Sequence, residues 1–431
     1  MIIVDTALKQ REAEGRPIQV GIVGAGYMGR GMALTIEKSI PGMRVAAIYN
    51  RTPDKAELAL QQCGIEEYSE AKSAADIESA VENGKYVFCD DANLLCEAGN
   101  IDAIVEATGE VEFGAQVTLN AIENGKHVVL MNAELDAVVG PILKHYANSA
   151  GVVITNVDGD QPGVVMNLFR WVETIGYQPV LAGNIKGLQD HYRNPETQKG
   201  FADAHKQGVK MITSFADGTK ISMEMAVVAN ATGFGVSVRG MKGPTCAHVT
   251  EAIDCFTEEE LTRGGIVDFI LGAEPGPGVF VIGFNDEPVL QQYASYLKMG
   301  DGPYYTFYVP YHLPHLESPL SVARAVLFHD AAITPRGAPV ADVLTAAKMD
   351  LKAGEVLDGI GGFHCYGMVD NIDVAQNSDF VPMSLVEGCT LQRSIAKDDI
   401  ISYQDVVFPE NRVCDRLRRE QDSHFFERGR S

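Results

Sequence analysis

Positive charge is what this chain has least of. Its 431 residues carry 35 lysines and arginines against 58 aspartates and glutamates, a formal net charge of −23. A surface so short of cations repels phosphate backbones and anionic lipid headgroups, so neither nucleic acid nor a membrane surface is an expected partner. Long hydrophobic runs are missing too: no stretch of about 18 apolar residues occurs, which leaves no membrane-spanning helix to expect. The opening Met-Ile-Ile-Val-Asp leads into a charged stretch around Lys9–Arg16 rather than a basic segment followed by an apolar one. No signal peptide is expected, and the cytoplasm is the expected compartment. Eight cysteines stand at 63, 89, 96, 246, 255, 365, 389 and 414 without a CxxC pair, so no structural zinc site is expected. Several fall in apolar runs such as Tyr86-Val87-Phe88-Cys89 and read as buried thiols.

What is present is ordinary globular material, 46% hydrophobic and 22% charged, in a chain long enough for several domains. Over the first ~155 residues, short apolar runs alternate with amphipathic stretches. Strands are expected at Gln19–Val23, Val45–Tyr49, Tyr86–Cys89, Ala103–Glu106, His127–Met131 and Val152–Thr155. Helices are expected at Gly29–Lys38, Asp54–Cys63, Gly114–Asn124 and Val138–Ala150, the last three followed directly by glycine. Such alternation implies an α/β domain, a doubly wound parallel sheet over residues 1–157. Residues 158–337 change texture. Met211–Phe215 and Lys220–Val228 read as strands joined by an Asp217-Gly218 hairpin turn, within an α+β domain containing a mostly antiparallel sheet. An amphipathic helix at Ser318–Phe328 is expected to pack back on the first domain. The third region, 338–431, holds two similar phrases, Ala347-Lys348-Met349-Asp350-Leu351-Lys352-Ala353-Gly354-Glu355 and Arg393-Ser394-Ile395-Ala396-Lys397-Asp398-Asp399-Ile400-Ile401, read as short strands followed by turns. Arg416–Ser431 reads as a surface helix with a frayed tail.

Gly24-Ala25-Gly26-Tyr27-Met28-Gly29 follows a strand and opens a helix. Gly24 permits the tight turn, Gly26 lets the backbone approach a pyrophosphate, and Gly29 lets helix and strand pack closely. The pyrophosphate would sit on the helix N-terminus, where free N–H groups favour anions. At the end of the second strand, Asn50 and Arg51 stand where an NAD-preferring site usually has a carboxylate, which points to NADP with NAD as the alternative. Thr108-Gly109 and Asn132-Ala133-Glu134 follow the fourth and fifth expected strands and would border the nicotinamide, although Asn132 also suits a helix cap. Asp160, in the turn Asp158–Gly163, reads equally as an active-site carboxylate and as a cap. The stretch Gly183–Asn194 gathers Lys186, Asp190, His191 and Arg193. Lys186 suits polarisation of a carbonyl, His191 acid–base work and Arg193 an anion clamp. Glu224 lies in an expected apolar strand. Asn230 and Thr232 follow as residues that could line the substrate cleft.

These residues resemble a known group. The first domain resembles the nucleotide domain of homoserine dehydrogenases. The phrases Gly21–Gly29, Val128–Asn132, Asp158–Pro162, Glu224–Gly233, Gly302–Glu317 and Pro319–Leu327 resemble the deoxyxylulose-phosphate reductoisomerase-like enzymes. The third region resembles a SAF domain, a small β-rich module. The resemblance implies a Rossmann domain, a dimerising catalytic domain and NADPH-dependent reduction of a ketose phosphate with skeletal rearrangement toward isoprenoid precursors. It also implies a homodimer and a divalent metal, Mg or Mn, giving Asp160 or Glu134 a role. Asn132 is followed by Ala133 rather than the lysine of homoserine dehydrogenases, which points away from homoserine. The Asp190–Arg193 loop also departs from the group's pattern, so a dehydrogenase or epimerase of another sugar stands beside the first reading. A non-catalytic nucleotide sensor is the third.

Overall fold

Strands covered on both faces read as unbroken apolar runs, and the first such runs are rich in valine, isoleucine and alanine. The computed structural model describes residues 3–426. In it these runs become β1 (Ile18–Val23), β2 (Met43–Tyr49), β4 (Tyr86–Cys89), β5 (Ala103–Glu106), β6 (His127–Leu130) and β7 (Ile154–Asn156), with β3 (Tyr68–Glu70) added at one edge. They form a seven-stranded sheet in the order β3-β4-β2-β1-β5-β6-β7. Every pairing is parallel. This is a doubly wound Rossmann sheet. Helices α1 (Val4–Ala13), α2 (Tyr27–Ser39), α3 (Pro53–Gln62), α4 (Ala74–Glu82), α5 (Asn93–Glu97), α6 (Val111–Glu123) and α7 (Ala133–Ala150) accompany the strands. The strand order reverses at β1, which lies between β2 and β5, so the crevice for a ligand opens beyond the carboxyl end of β1.

The chain divides into two compact units. The first comprises residues up to Gly163, Leu313–Thr334 and the chain from Arg416; the second comprises Val164–His312 and Pro335–Asp415. α14 (Pro314–Phe328) belongs to the first and packs on α2, β6 and β7, burying Val322 and Ala323 in the core. α16 (Val413–Phe425) is not the surface helix expected from its charge. Arg418 and Asp422 are buried and ion-paired at 3.0 Å. Gln421 reaches α7 beside Pro141, a residue that cannot donate and that disturbs the turn around it. The Gln421 Oε1 accepts from Ile142 N at 3.2 Å, and its Nε2 donates to Val138 O at 3.0 Å. Residues 427–431 of the expected tail lie outside the described residues.

The second unit begins along α8 (Gln161–Thr174) and is built on a four-stranded sheet, β11-β10-β8-β9. Its strands are β8 (Gln178–Lys186), β9 (Ile266–Leu271), β10 (Gly278–Phe284) and β11 (Tyr304–Val309). β10 runs antiparallel to β8 and β11, while β8 and β9 are parallel. Short helices α9 (Pro195–His205), α12 (Glu258–Thr262) and α13 (Pro288–Tyr296) lie along the connections. The expected hairpin at Asp217-Gly218 is absent. In its place are α10 (Val209–Asp217) and α11 (Thr219–Thr232), joined at Gly218 with φ +88°. All fourteen residues of α11 are buried, so no polar face marks the helix in the sequence.

Within the same unit, residues 335–415 contribute β12 (Ala341–Ala347) paired antiparallel with β13 (Cys365–Asn371), α15 (Ile372–Asn377), and the short pair β14 (Thr390–Leu391) and β15 (Val406–Val407). The two similar phrases face one another. Leu351 and Ile395 exchange backbone hydrogen bonds of 2.9 and 3.0 Å, and Ala347 pairs with Asp398 and Asp399. No helix among the described residues is long and apolar enough to cross a membrane.

Candidate functional site

In the first unit the glycine-rich turn has the geometry of a nucleotide cradle. Gly24 has φ +109°, and a Cβ there would stand 2.8 Å from the Ala107 carbonyl oxygen. A Cβ on Gly29 would strike the Gly24 carbonyl. Gly26 faces open space instead, with nothing within 4 Å of a Cβ position. It caps α2 without any side-chain bond, which leaves the first N–H groups of the helix available. Tyr27 is exposed on that first turn, and Met28 follows it. These features fit a dinucleotide pyrophosphate.

Asn50 staples this turn. Its Oδ1 accepts from Ala25 N at 3.0 Å and its Nδ2 donates to Thr52 O at 3.0 Å. Arg51 beside it is exposed and makes no hydrogen bond or ion pair among the described residues. Glu106, at the end of β5, is fully buried, and burial pushes its carboxyl above the usual range. It accepts from Thr108 N at 2.8 Å, from the Thr108 hydroxyl, and from Asn132 Nδ2 at 2.8 Å. Gly109 follows with φ +70°. Asn132 caps α7 through Leu135 N at 3.1 Å and also donates to Glu110 O. Its amide is therefore fully engaged by the chain, and of the two readings of this residue the geometry supports the helix cap.

Glu134 and Asp136 lie buried in the first turn of α7. Burial pushes Asp136 up to about 7, against a single lowering hydrogen bond from Asn156. Asp160 is buried and its Oδ1 accepts from the adjacent Gln161 N at 3.0 Å. Asp158, the other carboxylate of that turn, is held by the Ser321 hydroxyl at 2.7 Å and by Arg324 at 2.5 Å, both from α14. His315 on α14 packs edge-on to Tyr27 with ring centroids 6.2 Å apart.

In the second unit, Lys186 ends β8 and makes no ion pair among the described residues. Its register partner on β9 is Leu271, so the two side chains share one face of the sheet. Leu271 also lines a groove of about 440 Å³ together with Gln189, Asp190, His191, Tyr192, Arg239, Lys242, Phe269 and Met368. Two cations of the groove are paired: Lys242 with Glu260 at 3.1 Å, Arg239 with Asp370 at 2.7 Å. Asp268 beneath it accepts from the backbone N–H groups of Lys242, Gly243 and Phe269, and burial pushes it up to about 6. Of the expected residues of the 186–193 stretch, Asp190 and His191 line this groove, and Lys186 and Arg193 are not among its lining residues. Arg193 is bound to Asp190 at 3.0 Å.

Asn230 and Thr232 depart from the substrate-lining role expected of them. Both are buried on α11. Asn230 Oδ1 accepts from Val340 N and Ala341 N at 2.7 and 3.1 Å. The Thr232 hydroxyl donates to Val228 O and accepts from Phe234 N. Glu224, expected on a strand, is buried on the same helix facing Asn184 Nδ2 at 3.2 Å. Sequence reasoning gave no site role to Lys348, Asp217, Tyr366 and Asp398; Asp217 and Tyr366 touch His191, Lys348 bonds the Asp217 carboxylate and Asp398 accepts from Tyr366. No local motif marks them, since they are gathered from three distant stretches. No group of three His, Cys, Asp or Glu side chains among the described residues is arranged to hold a metal, so the donor set does not fit the expected divalent ion.

Comparison with known proteins agrees with this division. Residues 18–130 match the family model described as "Oxidoreductase family, NAD-binding Rossmann fold", and residues 159–318 match "Oxidoreductase DRL, catalytic domain". The homoserine dehydrogenase of Methylobacillus glycogenes is 27% identical over 221 residues, 47% of each chain. That of Neisseria gonorrhoeae is 25% identical over 214 residues, 47% of this chain and 44% of the relative. The chain spans about half the length of the curated relatives it matches. Among solved structures, a probable dehydrogenase from Thermotoga maritima is 13% identical, covering 68% of this chain and 75% of that one at a TM-score of 0.39. The level of description these matches support is an NAD(P)-dependent oxidoreductase.

Proposed function

We propose that this chain is an NADP(H)-dependent oxidoreductase interconverting CH–OH and carbonyl groups on a small, polar, anionic sugar or sugar derivative. The observation that carries the chemistry is Lys186. It is a cation without an ion pair among the described residues, on the sheet face shared with groove-lining Leu271, whereas Lys242 and Arg239 are neutralised. An ammonium there can polarise a carbonyl and stabilise the alkoxide formed on reduction. His191, which lines the groove itself, would supply or remove the hydroxyl proton. The preference for NADP is supported by Arg51, free to pair with a 2′-phosphate, and by Asn50, whose Oδ1 is already engaged by Ala25 N. Gly24, Gly26 and Gly29 would hold the pyrophosphate. Bound NADP(H) would supply or accept the hydride.

The narrower reading is reduction with rearrangement of a ketose phosphate such as 1-deoxyxylulose 5-phosphate. It rests on the resemblance of Asp158–Pro162, Glu224–Gly233 and Gly302–Glu317 to the deoxyxylulose-phosphate reductoisomerase-like enzymes, while the family match over residues 159–318 supports an oxidoreductase catalytic domain without naming that reaction. The test is NADPH oxidation by the purified chain with that substrate and Mg²⁺ or Mn²⁺, the product identified by mass and NMR. A branched product establishes the narrower reading. Turnover only on other sugars, abolished by Lys186→Met with NADPH binding retained, establishes the broader one. Full turnover in Lys186→Met removes Lys186 from the mechanism. NADPH binding without turnover on any carbonyl would instead support a nucleotide sensor. A homodimer through the second unit is supported by the exposed apolar residues Val289, Tyr293, Tyr296 and Leu297, and sedimentation velocity tests it.

A further inference from the structure

Three separate stretches of the second unit hold one imidazole. His191 Nδ1 lies 2.8 Å from the Asp217 carbonyl oxygen. A carbonyl oxygen only accepts, so in the neutral ring Nδ1 carries the proton and Nε2 carries the lone pair. His191 Nε2 makes no hydrogen bond among the described residues, and the residue lines the groove. The ring stacks on Tyr366 with centroids 4.5 Å apart and planes 20° apart. The Tyr366 hydroxyl donates to Asp398 at 3.1 Å, and Asp398 also accepts from the Tyr192 hydroxyl at 3.0 Å. Lys397 stands 3.5 Å above the Tyr192 ring.

The carbonyl that sets the tautomer is itself fixed. The Asp217 carboxylate accepts from Thr219 N at 2.8 Å and from Lys348 Nζ at 2.9 Å. Lys348 is buried, and its other two bonds run to Arg193 O and Gly362 O, both 2.8 Å. The ammonium has three protons and all three are engaged. One buried charge thus ties the far end of the 190–193 loop to the residue whose carbonyl accepts the histidine Nδ1–H bond. Lys348, Gly362, Tyr366, Lys397 and Asp398 all come from the region beyond residue 338. Lys348 and Lys397 each belong to one of the two similar phrases, and both contact this loop.

We propose that the region 338–415 is part of the substrate site: it locks His191 as the Nδ1–H tautomer and leaves Nε2 as the proton acceptor for a hydroxyl-bearing ligand in the groove. The inference rests on the oxidoreductase reading. In the oxidising direction Nε2 takes the hydroxyl proton of a CH–OH group as the carbon gives its hydride to NADP⁺. In the reducing direction the imidazolium returns that proton to the oxygen of the reduced carbonyl. Lys348 and Tyr366 are positioning residues, acting through His191.

The test is ring-¹⁵N-labelled histidine in the full chain, read by long-range ¹⁵N–¹H correlation above the imidazole pKa, with His191→Gln assigning the resonance. The expected wild-type pattern is a single Nδ1–H tautomer. Tyr366→Leu and Lys348→Met are expected to move the majority to the Nε2–H form, while Tyr366→Phe, which keeps the stacked ring, retains the Nδ1–H form. A wild-type His191 that is Nε2–H or averaged overturns the proposal even where a variant fails to fold, as does an unchanged tautomer in folded Tyr366→Leu. NADPH binding, followed by its fluorescence, is measured on the same samples. Its absence from the wild type would sink the oxidoreductase reading and leave the tautomer result standing.

Discussion

Asp136 is a carboxyl whose titration the interior governs. Burial raises it from 3.8 to about 7, and one neutral amide is its hydrogen-bond donor. The folded chain therefore keeps a proton that the unfolded chain releases between those two values. Stability is greatest below the unfolded value and falls as pH rises toward 7. Asp136→Asn, which keeps the shape and cannot ionise, should flatten this dependence by about 2–3 kcal/mol between pH 5 and pH 8. Urea denaturation at the two pH values reads the difference, and parallel wild-type and variant profiles would show that the carboxyl is ionised in the fold. Arg51 carries a second prediction at this scale. Losing one charge-assisted bond to a 2′-phosphate costs about 1.5–3 kcal/mol, so Arg51→Ala should weaken NADPH at least about tenfold and leave NADH nearly unchanged. Equal weakening of both would place Arg51 elsewhere on the nucleotide. The sequence makes Arg51 visible because the glycine fingerprint sets the distance to it. Asn132 shows where such reasoning stops. Its position at a strand end was readable, but its engagement with Glu106 and Leu135 depends on partners that only the fold brings near.

Among the elements, the parallel strands were legible because each is short, apolar throughout and followed by a turn residue. β3 escaped notice as a three-residue edge strand with no buried residue. α10 and α11 were misread for the opposite reason. With every residue of α11 buried, its sequence lacks the polar stripe that separates helix from strand, and Asp217-Gly218 then looked like a hairpin turn. α16 misled through its charge, because Arg418 and Asp422 satisfy each other inside the fold. That helix also supports a prediction. Gln421→Ala leaves Ile142 N and Val138 O, both buried, without the amide, and should cost about 1–3 kcal/mol. Hydrogen exchange at Ile142 should accelerate more than exchange in β1. Unchanged exchange there would mean that α7 closes its own turn across Pro141.

At the scale of the whole chain, the charge of −23 opposes an anionic cofactor, while Arg51 and the N-terminus of α2 attract it locally. The long-range part is screened beyond about 10 Å at 0.1 M salt. NADPH association measured by stopped flow should therefore quicken as salt rises from low ionic strength. Slowing instead would show that the local cations steer the encounter. The assembly of the His191 surroundings also belongs to this scale. The 190–193 loop was legible as a cluster of reactive side chains, yet Lys348, Tyr366 and Asp398 lie far along the chain and carry no motif. Their grouping follows from β12 and β13 sharing a unit with the loop.

The first unit is drawn from three separated stretches of the chain, and that sets an order of events during synthesis. Its parallel sheet is complete early, once β7 has left the ribosome. α14 arrives only after most of the second unit has been made. Gln421 follows Ile142 by 279 residues, so the N–H beside Pro141 waits through their synthesis for the amide that bonds it. The first unit is thus closed only when α14 and α16 reach it, and until then the flank they cover is exposed apolar surface.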